Sequence, residues 1–437
     1  MNPSTLLLAT ASGLSLLAPG LTSQNCASGP PTTLGTVTVL SSLCRRGAGK
    51  LPRTTCKVLR VDCTGIPSIE VDLRITEPDP KLTLRGTVVF GVGGGGQGFY
   101  GDRIGGLSLL QDLSSKGFRI VDRSWKSSWF GSGVSVKKQS CRYATLVTWI
   151  HKNVHTKGAF CATGNSGGSA ELAYGLTTWG LGDILDVAVP SGGPPMSRLD
   201  FACLRPTPAE WAKLCPTIVP AGILECRTPG CTISATHRVC WTCSTRASAQ
   251  ELRDDSVLHP SAKLDYKRTR VHVVIGARDC GVATLGMLFY NAVTSEKAVE
   301  FPKGTPHWVA TTQEGRDAIA RAILQGAACQ SSPASLATPF WPKVGGSFDL
   351  AVHGPAAAAY HVFLSLQSAR LELPPFGWVF LGAPVLPLGS GLLDRVTGRA
   401  TLRLQVPSNP ALARLQLFDQ AIAGSCLSNR VRVVIQQ

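Results

Sequence analysis

"GAFCATGNSGGSAELAYGL", residues 158–176, changes character at its midpoint. Residues 159–164 form a short apolar run, and residues 169–180 carry apolar side chains at helical spacing. At the junction Ser166 sits inside Gly164-Asn165-Ser166-Gly167-Gly168. A strand that turns at once into a helix needs small residues at the bend. Such a turn lifts a serine hydroxyl clear of the sheet edge, where the helix N-terminus favours developing negative charge. This stretch predicts an α/β fold with a candidate nucleophile, Ser166, at the C-terminal edge of a parallel sheet.

The flanking sequence extends that pattern. "TTCKVLRVDC" and "SIEVDLRIT" alternate in the manner of a hairpin. From residue 86 onward strand and helix patterns then take turns. "GTVVFGV", "FRIVDRSW", "AFCATG" and "DILDVAVPSGG" read as strands, separated by "GGLSLLQDLSSKG", "RYATLVTWIHKNV" and "SAELAYGLTTWG" as helices. Residues 194–262, rich in proline and cysteine, interrupt the rhythm as an insertion. It resumes with the strands "RVHVVIGARD" and "KAVEFPKG" and the helices "GVATLGMLFYNAV" and "TQEGRDAIARAILQGA". Alternation at this spacing means a mostly parallel sheet with helices on both faces.

A serine nucleophile needs a base, the base needs an orienting carboxylate, and the reaction needs an oxyanion hole. In this architecture they follow in the order Ser, Asp or Glu, His. Asp279 stands just past the strand "VVIGARDCG", and His307 in "FPKGTPHWV", the loop after the next strand. His272 falls inside a strand, and His151 and His155 on or near a helix, so His307 is the candidate base. Asp183 and Asp186 precede their strand and are the poorer acids. The expected oxyanion donors are the Gly167 amide and Gly94 or Gly95 from the loop "FGVGGGGQGFYGD", where backbone can approach a substrate without side chains in the way.

The same loop has a competing reading. Gly91, Gly93 and Gly96 satisfy Gly-x-Gly-x-x-Gly after a strand, and Asp122 ends the next one, where a ribose-binding acid belongs in a dinucleotide-binding oxidoreductase. That reading leaves Ser166, Asp279 and His307 without a role.

Composition narrows the class. The 437-residue chain is 44% apolar and 16% charged, with net charge +16. Its basic residues are scattered, with no polybasic run and no nucleic-acid-reading motif, so no nucleic-acid partner is expected. Residues 1–23 form an apolar, small-residue-rich leader without a basic residue, which reads as a signal peptide too short to span a membrane stably. Fifteen cysteines fit an oxidising, extracellular or periplasmic setting, and the odd count leaves at least one thiol out of internal pairs. Cys226, Cys231, Cys240 and Cys243 have a spacing that could hold zinc, but disulfides are the expectation in an exported insertion.

The expected organisation is a signal peptide (1–23), an α/β unit (24–330) with a lid insertion (194–262), a Ser/Pro/Ala linker (331–342) and an all-β unit (343–437). The last shows short strands between turn residues, as in a small sandwich, and no clustered His, Cys or acidic constellation.

Over residues 50–328 the chain resembles secreted α/β-hydrolase-fold serine esterases. The resemblance rests on the Gly93–Gly96 loop, GNSGG with Ser166, GARD with Asp279 and TPH with His307. It implies hydrolysis of a small or polymeric carboxylic ester through an acyl-enzyme, without cofactor or metal. The loop lacks the histidine of the familiar His-Gly-Gly type. Neither Ser166 nor His307 has an adjacent cysteine, unlike the disulfide-linked triads of tannase and fungal feruloyl-esterase relatives. The tail resembles β-sandwich appendages of exported bacterial proteins, which implies binding to a surface or substrate. An inactive hydrolase core serving as an exported binding protein is the non-enzymatic alternative.

If the Cys226–Cys243 cluster is disulfide-bonded, metal analysis of purified protein should find no stoichiometric zinc. Reduction should destabilise the insertion, at about 2–5 kcal/mol per bridge. One zinc per chain would overturn the disulfide expectation.

Overall fold

Apolar runs of strand and helix period alternate along the chain, and in the computed structural model they form a layered α/β structure. The structure describes residues 33–47, 49–131, 134–204, 218–219, 224–225, 248–331, 335–337, 342–367, 371–373, 377–379, 381, 383–423, 426–427 and 431–436. The leader and the Cys226–Cys243 cluster lie outside the described residues.

Among these residues nine strands make one sheet: β1 (Thr36–Ser41), β2 (Thr54–Asp62), β3 (Ile69–Thr76), β4 (Gly86–Gly91), β5 (Phe118–Trp125), β6 (Ala159–Asn165), β7 (Val187–Ser191), β8 (Arg270–Val274) and β9 (Lys297–Glu300). Their order is β1-β2-β3-β5-β4-β6-β7-β8-β9. β2 and β3 form the expected antiparallel hairpin, β3 runs antiparallel to β5, and from β5 to β9 every neighbour is parallel. The helices that join the strands are α1 (Gly106–Ser115), α2 (Val136–Gln139), α3 (Cys141–Asn153), α4 (Gly167–Trp179), α5 (Leu199–Leu204), α6 (Ala249–Asp254), α7 (Ala283–Ala292) and α8 (Gln313–Ser331). This is the α/β-hydrolase fold.

Side chains alternate across each strand, so the central strands feed two cores. Val89, Phe160, Ala162 and Val273 point to the side covered by α3, α4 and α7, with Leu146, Leu172 and Phe289. Val88, Phe90, Cys161 and Val274 point to the side covered by α1 and α8, with Leu109, Leu113, Ile319 and Ile323. Burying each such Val, Leu, Ile or Phe contributes about 1.5–3 kcal/mol, and that two-sided burial fixes the register of β6 and hence of its end. Cys161 is a free, buried thiol whose pKa burial pushes up, so it behaves as a small apolar side chain.

Disulfides tie the N-terminal part down. Cys44 pairs with Cys56 and Cys63 with Cys141, the latter joining the end of β2 to the start of α3. Cys203, Cys280 and Cys426 are also disulfide-bonded. No helix among the described residues is long and apolar enough to cross a membrane.

Beyond α8 the chain is antiparallel. β10 (Ser335–Ala337), β11 (Ser347–His353) and β16 (Arg399–Gln405) form one sheet. A second contains β12 (Ala359–Ser365), β15 (Val385–Leu392) and β17 (Gln416–Ala423), with β18 (Cys426–Leu427) and β19 (Val431–Val434) on β17. β13 (Leu371–Leu373) and β14 (Gly377–Val379) pair separately. Phe348, Leu350 and Val352 of the first sheet share one core with Val362, Leu417 and Ala421 of the second. Within residues 331–342, Leu336 of β10 is buried in that core.

One ionic contact lies wholly inside the α/β part. Arg123 of β5 pairs with Glu171 of α4, both fully buried, and Trp125 Nε1 donates to Glu171 Oε1 at 2.6 Å. Burial pushes the Glu171 carboxyl up to about 7, against the pull of Arg123 and Trp125. Removing one partner of such a pair strands the other charge in the core. Glu171→Ala should therefore lower unfolding free energy by about 3–5 kcal/mol. Denaturant titration measures it, and an unchanged midpoint would mean that the pair does not hold β5 to α4.

Candidate active site

β6 ends at Asn165 and α4 begins at Gly167, so a single residue makes the bend. That residue, Ser166, has φ 54° and ψ −114°, a conformation costly for a residue with a Cβ. Its neighbours show why they are glycines. A Cβ on Gly164 would lie 2.5 Å from the Gly168 carbonyl, and one on Gly168 would lie 2.7 Å from Val92 O. Hydrogen bonds hold the bend: Ser166 N donates to Ser191 O at 2.9 Å, and Ser166 O accepts from Ala170 N at 3.0 Å.

The Gly93–Gly96 loop, which follows β4, crosses directly over this turn. A Cβ on Gly93 would lie 3.0 Å from Ser166 Cβ, and one on Gly167 would lie 2.1 Å from Gly94 O. The loop is fixed by its own bonds: Gly96 N to Gly93 O (3.1 Å), Trp129 N to Gly95 O (3.0 Å) and Trp125 N to Gly96 O (3.0 Å). Among the described residues the amides of Gly94, Gly95 and Gly167 donate no hydrogen bond. Gly94 is the one packed on Gly167, whereas Gly95 faces Ser128.

The other glycines of this loop serve a different contact. Gly91 and Gly96 turn toward Arg123, and Gly96 also toward Trp125, where a side chain would collide. Nor does the loop open a helix; it passes through a 3-10 turn, Tyr100–Asp102, before α1 starts at Gly106. Asp122 is buried, with Oδ1 accepting from Tyr100 N (2.8 Å) and Oδ2 from Gly101 N (2.9 Å). Both oxygens accept from the chain's own amides, and Asp122 lies inside β5 rather than at its end, so the dinucleotide reading of Gly91, Gly93, Gly96 and Asp122 draws no support from this geometry.

Asp279 and His307 meet at the same end of the sheet. Asp279 follows β8 and His307 follows β9; Asp279 Oδ2 lies 2.8 Å from His307 Nδ1. Asp279 is buried and His307 partly exposed. The two loops are laced by backbone: Ala277 N donates to Pro302 O (3.1 Å) and Arg278 N to Thr305 O (2.9 Å). Burial works to lower the His307 pKa, but the hydrogen bond and charge of Asp279 outweigh it and raise it above the ordinary histidine value. His272, His151 and His155 stand apart: His272 is buried in β8 beside Glu300, and His151 and His155 stack where α3 ends.

Two features escaped sequence reasoning. Cys280, next to Asp279, is disulfide-bonded, which anchors the acid's loop; only the neighbours of Ser166 and His307 were considered for adjacent cysteines. Asn165 has no assigned role in the sequence pattern. Its side chain bonds to the loop that carries His307.

The chain matches no protein-family model and no curated protein. Among solved structures it is similar to Est1E from Butyrivibrio proteoclasticus, at 12% identity over 62% of this chain and 98% of that one, with TM-score 0.39. It is also similar to acetyl xylan esterase 1 from Thermoanaerobacterium sp. JW/SL YS485 (11% identity, 67% and 88% covered, TM-score 0.39). A third is an esterase/lipase from an uncultured bacterium (14% identity, 62% and 84% covered, TM-score 0.41).

The Asp279 contact makes a prediction independent of any activity. NMR titration should place the His307 pKa above 6.5, and Asp279→Asn should lower it, because the carboxylate's charge is lost while burial remains. A His307 pKa that Asp279→Asn leaves unmoved would show that the two side chains are not coupled in solution.

Proposed function

We propose that this chain is an exported serine hydrolase that cleaves carboxylic esters. One observation carries the reading: Ser166, a residue with a Cβ, is held at φ 54° beside the unbonded amides of Gly94 and Gly167. Strain of this kind persists only where the surroundings enforce it, and here it presents a hydroxyl next to free donors.

His307 accepts the Ser166 proton as the hydroxyl attacks the ester carbonyl, while Asp279 holds the imidazole at Nδ1 and stabilises its charged form. The oxyanion of the tetrahedral intermediate sits against the amides of Gly167 and Gly94, with Gly95 as the alternative second donor. Each such donor is worth about 2.7–4 kcal/mol in transition-state stabilisation. His307 then protonates the leaving alcohol, and the acyl-serine forms. Water, deprotonated by the same histidine, attacks the acyl-serine, and the acid departs as Ser166 recovers its proton. The chemistry uses no cofactor. Disulfides favour an extracellular or periplasmic setting. The division at the 331–342 segment assigns the reaction to the α/β part and leaves the β-rich part for contact with a surface or substrate.

A panel of chromogenic esters of increasing acyl length tests the reading, with Ser166→Ala as control. Wild-type protein should turn over at least part of the panel. Folded Ser166→Ala should lose at least about 10³-fold in kcat/KM. Undiminished hydrolysis by that variant would rule the mechanism out.

A further inference from the structure

We infer that Asn165 is a positioning residue for the base: its side chain sets where His307 stands relative to Ser166. The inference rests on the esterase reading and deepens it. Asn165 is the last residue of β6, directly before the nucleophile, and is 1% exposed. Its Nδ2 donates to His307 O at 3.1 Å, and its Oδ1 accepts from Val309 N at 3.1 Å. One amide therefore grips the backbone on both sides of Trp308.

The grip matters because of what else holds this loop. His307 lies in irregular chain between β9, which ends at Glu300, and a 3-10 turn at Val309–Thr311. Asp279 fixes the imidazole at Nδ1, and the bonds from Ala277 and Arg278 hold the loop up to Thr305, but neither reaches the backbone at His307 and Val309. On the outer side the Trp308 ring packs 4.8 Å from Tyr100, and its Nε1 donates to Ile104 O at 2.8 Å. The inner side is held by Asn165. Gly192 completes that inner side. At φ +52°, a Cβ there would lie 2.5 Å from His307 O and 3.1 Å from both polar atoms of the Asn165 amide.

The chemistry selects the residue type. The site needs one donor and one acceptor on a single short side chain. Aspartate keeps the acceptor for Val309 but, ionised, cannot donate to the His307 carbonyl and repels it. Alanine loses both bonds, and glutamine is one methylene too long for the gap. Because the nucleophile and the clamp are consecutive residues, the position of the base inherits the rigidity of β6.

The test uses the full chain with Asn165→Asp and Asn165→Ala, measured on the best chromogenic ester of the panel beside Ser166→Ala. Circular dichroism should show both Asn165 variants folded. Their kcat should fall by roughly 10–10²-fold, the scale of a misplacement near 1 Å, with KM within about threefold of wild type. Labelling of Ser166 by a fluorophosphonate should slow by a similar factor, because a misplaced base activates the serine less. Asn165→Asp retains the acceptor for Val309 but sets a carboxylate against the His307 carbonyl, so it should lose at least as much as Asn165→Ala. A purely structural role would lower the melting temperature and leave kcat and labelling rate of the folded protein unchanged; that result overturns the inference while an inactive Ser166→Ala keeps the esterase reading. Hydrolysis that survives Ser166→Ala overturns both.

Discussion

Backbone meets backbone at Ser166 with no space for side chains between, and the site is arranged around that constraint. The end of β6, the first turn of α4 and the Gly93–Gly96 loop approach so closely that a Cβ on Gly164, Gly167 or Gly168 would fall 2.1–2.7 Å from another segment's carbonyl. Among the described residues, the amides of Gly94, Gly95 and Gly167 beside this contact donate no hydrogen bond. The close approach also forces Ser166 into a conformation that costs on the order of 1–3 kcal/mol. The two cores on either side of the sheet outweigh that cost many times over, since each buried aliphatic side chain contributes a comparable amount. Stability thus resides in the strand faces, and the strain is confined to one residue at their end.

Beneath the same loop lies the Arg123–Glu171 pair. Burying two charges costs several kcal/mol per ion before their attraction is counted, so an apolar replacement of matching volume could be as stable. Arg123 Nε and Nη1 have no hydrogen-bond partner, which makes this an incompletely satisfied pair. What it supplies is placement. Arg123 belongs to β5, Glu171 to the helix behind the nucleophile, and the guanidinium fills the room that Gly91 and Gly96 leave open. The Gly-rich loop is therefore shaped by two separate demands. Gly93 and Gly94 approach the serine, while Gly91 and Gly96 make room for a buried cation.

This division explains how much could be read in advance. The alternation of parallel strands and helices, and the loops in which Ser166, Asp279 and His307 were placed, follow from apolar periodicity and from which loop follows which strand, both of them local signals. The glycine motif was ambiguous because a pattern records only the absence of side chains, and the cause of that absence at Gly91 and Gly96 is Arg123, distant in sequence. Asn165 was invisible for a related reason: its partners are main-chain atoms of His307 and Val309, and a backbone carbonyl or amide leaves no mark on composition. β15 was not among the expected strands, because "VLPLGSGL" carries proline and glycine where a strand pattern should carry β-branched residues. Leu336, set between Ser335 and Ala337 in the 331–342 stretch, likewise gives no period to recognise, although it is buried.

The way the chain returns from the insertion completes the picture. Residues 194–262 separate β7 from β8, and so separate Ser166 from Asp279 in sequence. Their described ends are rooted in the α/β part. Val257 N and Leu258 N donate to Met196 O and Ser197 O, and the Asp255 carboxylate accepts from Val136 N and Lys137 N at the start of α2. Tyr174 of α4 donates to Asp255 O at 2.7 Å. Entry and exit are thus pinned to each other and to α4. Asp279 owes its place to β8 and to the lacing of its loop onto that of His307, and His307 owes its place to Asp279 and Asn165. Each group that the proposed mechanism calls on is positioned from within the sheet and its immediate loops.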